Sequence, residues 1–181
     1  MDQDPEFAVS LFWDAGNARL LPNQIPFLIA NIEDSLRTAD KRYYLAKKKV
    51  VVANSSLDFI SENRAYLLEQ GFVIVDAPHR ERDCNYTNCK VKVERFDVAK
   101  NMILDQVLDQ VLEKELSRNV LIISGDSDFS TTLQMLERNK RNTLKAVNED
   151  ATPDYIESAQ HAWLWDDMAT RAAKTIPLNL V

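Results

Sequence analysis

Short apolar runs alternate with longer amphipathic segments along this chain, a pattern typical of a parallel sheet covered by helices. The apolar runs predict strands at 8–13, 50–53, 72–75, 120–123 and 143–147, and a last apolar segment at 162–165. Helical spacing of apolar residues predicts helices at 26–38, 56–70, 96–116, 129–138 and 153–159. The apolar face of the first helix is assigned to Phe27, Ile29, Ala30, Ile32 and Leu36.

The order of these elements predicts the fold class. It is an α/β fold with a three-layer, doubly wound, mostly parallel sheet, because β-α-β crossovers are right-handed. The charged stretch 78–95 interrupts the alternation and predicts a hairpin insertion before the long central helix, with its turn at 85–88. In such a sheet, ligands bind beyond the carboxyl ends of the strands, where the strand order reverses.

Aspartates follow two of the predicted strands. Asp14 ends the first strand, and Asp126 follows the fourth strand after Ser124 and Gly125. Carboxylates that converge on one edge of a sheet repel each other unless a cation lies between them. Oxygen ligands of this kind suit Mg²⁺ or Mn²⁺, so we expect a metal site there, with Asn17 reaching back towards it.

Three further acids have two interpretations each. Asp128 precedes a predicted helix, where it is either a metal ligand or the helix N-cap. Asp97 begins the long helix, as a cap or as a third ligand. Asn101 lies one turn after Asp97 on the same face, and Asp105 one turn further, as a supporting residue or a solvated acid.

The predicted hairpin is basic. Its cations are His79, Arg80, Arg82, Lys90, Lys92 and Arg95, and Tyr86 lies near its tip. Such residues either keep a loop solvated or guide RNA, with the cations on phosphates and the tyrosine stacked on a base. His79, Cys84 and Cys89 also have a spacing that could bind zinc, but the fourth ligand is missing and cysteines facing each other across a hairpin explain the spacing equally well.

Other sites with a recognisable pattern are excluded. The three glycines, at 16, 71 and 125, cannot form a phosphate-binding glycine motif, and the two histidines suggest no Ser-His-Asp triad. The net charge of -6 argues against a protein that coats nucleic acid through general positive charge. It leaves a nuclease possible, because a carboxylate site is itself acidic.

The length of 181 residues predicts one domain at 8–170, after an N-terminal extension at 1–7 that resembles a cloning remnant and before a tail at 171–181. Without a long apolar run or a signal peptide, we expect no membrane association and an intracellular location, with cytoplasm, nucleus and mitochondrion all open. Exposed helical faces would permit a homodimer or protein partners.

Three motifs, in order, resemble the NYN domains, which are PIN-like nucleases. Residues 11–17, LFWDAGN, resemble their opening D-x-x-N strand, and residues 120–129, VLIISGDSDF, resemble their S-G-D-x-D-F signature. Residues 151–167 resemble the closing helix and strand, and the ending Trp163-Leu164-Trp165 is most similar to the limkain type, the meiosis regulator and mRNA stability factor. The resemblance spans about residues 8–168.

The resemblance implies an Mg²⁺- or Mn²⁺-dependent endoribonuclease that hydrolyses single-stranded RNA during RNA processing or decay. It implies Asp14, Asp97 and Asp126 as the carboxylate triad, supported by Asp128, Asn17 and Ser124. Many members carry a second acid six residues after the first on the central helix, where this chain has Ile103. Another alignment makes Asp105 the second acid and puts Ala99 in place of the first. A catalytically weakened domain that binds RNA or a protein is therefore the alternative, and a nucleotide-binding or phosphatase-like α/β protein is a third.

Overall fold

The computed structural model describes residues 3–54, 57–77, 80–83, 93–96, 98–125 and 128–178. These residues contain eight strands, seven α-helices and two short 3-10 helices, Pro5–Phe7 and Pro22–Gln24. For 80–83 and 93–96 only the backbone is described. The strands are β1 (Ala8–Asp14), β2 (Tyr44–Ala53), β3 (Phe72–Asp76), β4 (Arg80–Asp83), β5 (Val93–Phe96), β6 (Asn119–Ile123), β7 (Asn142–Val147) and β8 (His161–Leu164). The helices are α1 (Ile25–Ala39), α2 (Asp58–Ser61), α3 (Arg64–Glu69), α4 (Ala99–Leu112), α5 (Ser130–Arg138), α6 (Pro153–Glu157) and α7 (Trp165–Thr170).

Six of the strands form one sheet in the order β3-β2-β1-β6-β7-β8, and every neighbouring pair is parallel. The chain builds outward from β1 through β2 and β3, then returns to the other side of β1 and continues with β6. The strand order therefore reverses between β1 and β6. This confirms the predicted α/β class and places the crevice at the ends of these two strands.

Helices cover both faces of the sheet, and the side chains of β1 alternate between the two cores. Leu11 and Trp13 lie in one core, which includes residues of α1 and α7. Phe12 lies in the other core, which includes residues of α4 and α5. Asp14 follows Phe12 by two positions, so its side chain emerges on the face that α4 and α5 cover.

The predicted hairpin insertion is present as an antiparallel pair of strands. Arg80 of β4 lies opposite Phe96 of β5, and Asp83 lies opposite Val93. The predicted turn at 85–88 lies outside the described residues. Because Phe96 pairs in β5, α4 begins at Ala99, three residues later than the apolar spacing predicted.

Two other helix predictions are wrong in detail. The predicted helix 56–70 is two short helices, α2 and α3, separated at residues 62–63. In α1, Phe27 is 65% exposed and Ala30 is also exposed, whereas Leu28 is buried with Ile32 and Leu36. The buried face of α1 therefore follows the i, i+4, i+8 spacing of Leu28, Ile32 and Leu36. Phe27 is large and apolar but lies outside this face.

The closing region packs more extensively than the sequence indicated. Trp163 in β8 and Trp165 at the start of α7 are both buried. Beyond α7, Ala173 is buried and the Ile176 amide donates to the Ala162 carbonyl oxygen at 2.8 Å. The part of the tail up to Ile176 therefore lies against β8. Among the described residues, no helix has the length and apolar character to cross a membrane.

Candidate metal and nuclease site

Asp14 lies at the carboxyl end of β1, in the crevice between β1 and β6, and its side chain is completely buried. Oδ2 of its carboxylate accepts a hydrogen bond from Ser124 Oγ at 2.7 Å and another from Asn17 Nδ2 at 2.8 Å. Both donors are neutral groups, and their hydrogen bonds hold Oδ2 in place. The structure thus brings together three of the predicted site residues and fixes the orientation of the central one.

The turn after β1 is what places Asn17 beside Asp14. The Ala15 amide donates to the Val52 carbonyl oxygen of β2 at 3.0 Å, and the Ala18 amide donates to the Asp14 carbonyl oxygen at 3.0 Å. The indole of Trp13 donates to the Ala18 carbonyl oxygen at 2.8 Å, inside the core. The turn is therefore tied to β2 and to a buried tryptophan, which makes Asn17 part of a rigid element.

Gly125 lies directly after Ser124, where the loops that follow β1, β6 and β7 approach each other. A Cβ atom at Gly125 would lie 2.2 Å from the backbone oxygen of Asn17 and 2.3 Å from Nδ2 of Asn148, which follows β7. No side chain fits in that space, so glycine is required for this close approach. By contrast, a Cβ at Gly16 would have Asp14 Oδ1 as its nearest neighbour, at 3.8 Å.

Asp128 lies four residues after Ser124, so their Cα atoms are at most about 14 Å apart. Its Oδ2 accepts a hydrogen bond from Nζ of Lys100 at 2.6 Å, and this bond lowers the pKa of Asp128. The interpretation of Asp128 as a helix N-cap is wrong, because Phe129 occupies the N-cap position of α5. Asp128 instead connects the loop before α5 to the first turn of α4.

The structure separates the candidates on α4. Ile103 is fully buried between the helix and the sheet, at the position where an acid was expected by resemblance. Asp105 is exposed, and its position two residues later points it to the opposite side of the helix. Asn101 is also exposed and lines the same cleft as Lys100 and Asp128. Asp105 therefore does not face the buried carboxylate of Asp14.

Several predicted residues lie outside the described residues. They are Asp97, Asp126, Lys90 and Lys92, together with the zinc candidates His79, Cys84 and Cys89. Arg80, Arg82 and Arg95 lie on the hairpin strands, where the backbone alone is described. Their assignments as ligands or RNA contacts stay predictions.

The chemistry of the site fits a hard divalent cation. In the described ranges, no three His, Cys, Asp or Glu side chains come together as a metal site, and two of the predicted acids lie outside those ranges. The groups that are described, the carboxylate of Asp14, the hydroxyl of Ser124 and the amide of Asn17, all offer oxygen atoms. Oxygen donors select Mg²⁺ or Mn²⁺ over softer metals, and Ser124 and Asn17 hold the carboxylate in place as supporting groups do.

Sequence reasoning missed two residues of this region. Asn148 follows β7 directly, and the rule that identified Asp14, a polar residue after an apolar strand, would have found it. Lys100 is 28 positions away from Asp128, and no local pattern indicates that the two side chains meet.

Comparison with known proteins gives three findings. The NYN domain family matches residues 8–164. A crystal structure of a protein of unknown function from Vibrio parahaemolyticus is similar, with a TM-score of 0.56 and 14% sequence identity over 91% of this chain and 95% of that chain. At this identity the similarity supports the fold alone. No curated protein matches the sequence.

Proposed function

The chain belongs to the NYN domain family, whose members are PIN-like nucleases, and on this premise we propose that it is a metal-dependent endoribonuclease. Its substrate is single-stranded RNA, its ion is Mg²⁺ or Mn²⁺, and its active site lies where β1 and β6 end. The observation that carries this proposal is the buried carboxylate of Asp14, held in one orientation at the point where the strand order reverses.

Burying a carboxylate costs free energy, because the group leaves water and must then be stabilised by hydrogen bonds. An apolar residue at this position could fill a purely structural role in the sheet without this cost. Two neutral donors, Ser124 and Asn17, hold the Asp14 side chain in one orientation. Such preorganisation is what a metal ligand requires.

The remaining roles follow from the family's motifs. We assign Asp97, Asp126 and Asp128 as further acids of the site, with Ser124 and Asn17 as orienting residues and Asn101 as an outer residue. The cations of the hairpin, Arg80, Arg82, Lys90, Lys92 and Arg95, would guide the RNA backbone. A divalent ion held by these acids would supply positive charge near the scissile phosphate and would make a nearby water more acidic.

Two finer assignments rest on the same motifs. The ending Trp163-Leu164-Trp165 supports membership of the limkain branch, and both tryptophans are buried, so they act through packing. We also propose 8–170 as the domain, which includes the matched residues 8–164.

A second candidate function is an RNA-binding NYN domain with weak or absent catalysis. The observation that favours it is Ile103, which is fully buried where many similar domains carry a second acid on the helix. An active site with one acid fewer holds metal less firmly.

A cleavage assay with three substrates tests the proposal. Single-stranded RNA, duplex DNA and a small phosphate ester are incubated in parallel with Mn²⁺ and the wild-type protein. We expect cleavage of the RNA alone, and a loss of at least about 100-fold in Asp14→Asn and Asp126→Asn, since removing a ligand should exceed the effect of removing a supporting group. RNA affinity measured in EDTA should change little. Asp109→Asn, an exposed acid of α4, is the matched control and should cleave normally.

The outcomes separate the candidates. Mn²⁺-dependent cleavage that survives both Asp14→Asn and Asp126→Asn would show that the site is assigned wrongly. A wild-type protein that binds RNA without cutting it would support the RNA-binding module. Hydrolysis of the phosphate ester alone would indicate a phosphatase-like enzyme.

A further inference from the structure

Lys100 and Asp128 form an ion pair between the first turn of α4 and the loop that precedes α5. Nζ of Lys100 lies 2.6 Å from Oδ2 of Asp128. The side chain of Lys100 is 31% exposed and that of Asp128 is 67% exposed, so solvent reaches both groups. They line a small cleft of about 160 Å³ together with the polar side chains of Asn101, Ser130 and Thr131.

Stability alone does not explain why a lysine occupies this position. Lys100 is the second residue of α4, and a cation near the N-terminus of a helix is disfavoured by the helix dipole. The ion pair with Asp128 is open to solvent, and exposed ion pairs add little to stability. Lys100 is therefore a cation at a position that the local structure disfavours, beside an acid of the nuclease motif. Binding of a negatively charged ligand better explains its presence there.

The position of the pair suits the phosphate backbone of RNA. Asp128 belongs to the connection that begins at Ser124, which contacts Asp14, so the cleft lies beside the proposed active site. The lining also includes the hydroxyl groups of Ser130 and Thr131 and the amide of Asn101, and each of these groups can donate to a phosphate oxygen. An ammonium has three donors, so it can contact a carboxylate and a phosphate at the same time.

We propose that Lys100 binds a phosphate of the RNA substrate in this cleft, and that Asp128 positions its ammonium group. This inference rests on the proposed function, because it assigns a role beside the same active site. It also changes the role of Asp128, which becomes the anchor of a substrate-binding lysine in addition to its assignment as an acid of the site.

The test is the affinity for a fluorescein-labelled single-stranded RNA, measured by fluorescence anisotropy in EDTA over a series of salt concentrations. We expect Lys100→Gln to weaken binding about five- to tenfold at low salt and to reduce the slope of log affinity against log salt by about 0.7, the effect of one lost phosphate contact. Lys100→Arg should restore most of the affinity. Inorganic phosphate should compete with the RNA more weakly for Lys100→Gln than for the wild type.

The matched control is Lys48→Gln. Lys48 also pairs with acids, Glu113 and Glu115, and is similarly exposed, but it lies on β2, before the site end of the strand. This variant loses the same charge and should bind RNA with nearly wild-type affinity. Equal losses in Lys48→Gln and Lys100→Gln would overturn the proposal, because they would reflect net charge alone.

The two proposals can fail separately. If Lys100→Gln melts at a lower temperature but binds RNA with the wild-type affinity and salt slope, Lys100 is structural and this inference is wrong. If Lys100→Gln does not fold, Lys100→Met and Lys100→Arg provide the same comparison between a neutral and a charged side chain. RNA binding that depends on Lys100 without Mn²⁺-dependent cleavage would remove the proposed activity and leave this inference standing.

Discussion

The hydroxyl of Ser124 donates a hydrogen bond of 2.7 Å to Oδ2 of Asp14, and both side chains are buried. This contact joins the ends of β1 and β6 on the face that α4 and α5 cover. The position of Asp14 therefore depends on the loop between β6 and α5, which includes Asp126 and Asp128. The stability of the fold and the geometry of the candidate site therefore depend on the same hydrogen bond.

Ser124→Ala is expected to remove this donor and leave a buried acceptor less satisfied. The free energy of unfolding should fall by about 1–3 kcal/mol, because a buried charged group loses a hydrogen bond. Mn²⁺ affinity, measured by calorimetry, should fall by about 10- to 100-fold, as when a supporting residue of a metal ligand is removed. Ser61→Ala is the control, since the Ser61 hydroxyl donates to a backbone carbonyl at an exposed position. Equal effects of the two substitutions would contradict the assigned role of Ser124.

Gly125→Ala is expected to damage the same region for a steric reason. The new Cβ would lie 2.2 Å from the backbone oxygen of Asn17, so the turn after β1 or the connection after β6 must shift. We expect a loss of about 1–3 kcal/mol in unfolding free energy, together with weaker Mn²⁺ binding. In Gly16→Ala the nearest atom is 3.8 Å away, and the stability should stay within about 0.5 kcal/mol of the wild type. Urea denaturation of both variants distinguishes the close approach at Gly125 from a general intolerance of alanine.

Two predicted site residues that the structure brings into contact, Asp14 and Ser124, share a local cause. Asp14 and Ser124 each follow a run of apolar residues, and such runs predict buried strands without knowledge of the rest of the fold. Once the strands are parallel, their carboxyl ends meet at one edge, so the convergence of Asp14 and Ser124 follows from topology. The same reasoning extends to Asn148 after β7.

The parts that sequence reasoning missed depend on contacts between distant segments. The start of α4 was predicted at Phe96, but this residue pairs with Arg80 in the hairpin, and the register of that pairing is not visible in the helical pattern. In α1, Ser35 occupies a buried position because its hydroxyl bonds to the Asn31 carbonyl oxygen and accepts from the Ala173 amide. A polar residue in a buried stripe is recognisable only when the partner that satisfies it is known.

Asp105→Asn decides between the two alignments of the central helix. Asp105 is exposed on the side of α4 opposite to Ile103, which is buried, so it is expected to contribute nothing to metal binding. Mn²⁺ affinity and cleavage should equal those of the wild type, and the unfolding free energy should change by less than about 0.5 kcal/mol. Asp97→Asn is the comparison and should weaken Mn²⁺ binding. A loss of affinity in Asp105→Asn alone would support the alternative alignment, with Asp105 as the helix ligand.

The last prediction concerns Lys145 of β7, a buried lysine outside the site. Its Nζ donates to the Tyr155 carbonyl oxygen at 2.6 Å and lies 3.7 Å from the centre of the Tyr155 ring. Burial lowers the pKa of Lys145 from the ordinary value of 10.5 to about 8. Between these two values the unfolded chain binds more protons than the folded chain, so the contribution of Lys145 to stability increases with pH. It is complete above pH 10.5 and is lost as the pH falls through about 8.

Lys145→Met removes this titration while keeping a side chain of similar length in the core. The unfolding free energy of the wild type, minus that of Lys145→Met, should therefore increase between pH 7 and pH 10 by an amount on the order of 2 kcal/mol. Lys48→Met is the control, because Glu115 and Glu113 raise the pKa of Lys48, whose contribution is then constant below pH 10.5. Urea unfolding curves at pH 7, 8, 9 and 10 measure both differences. A difference for Lys145→Met that does not vary with pH would mean that the buried ammonium keeps its proton throughout this range.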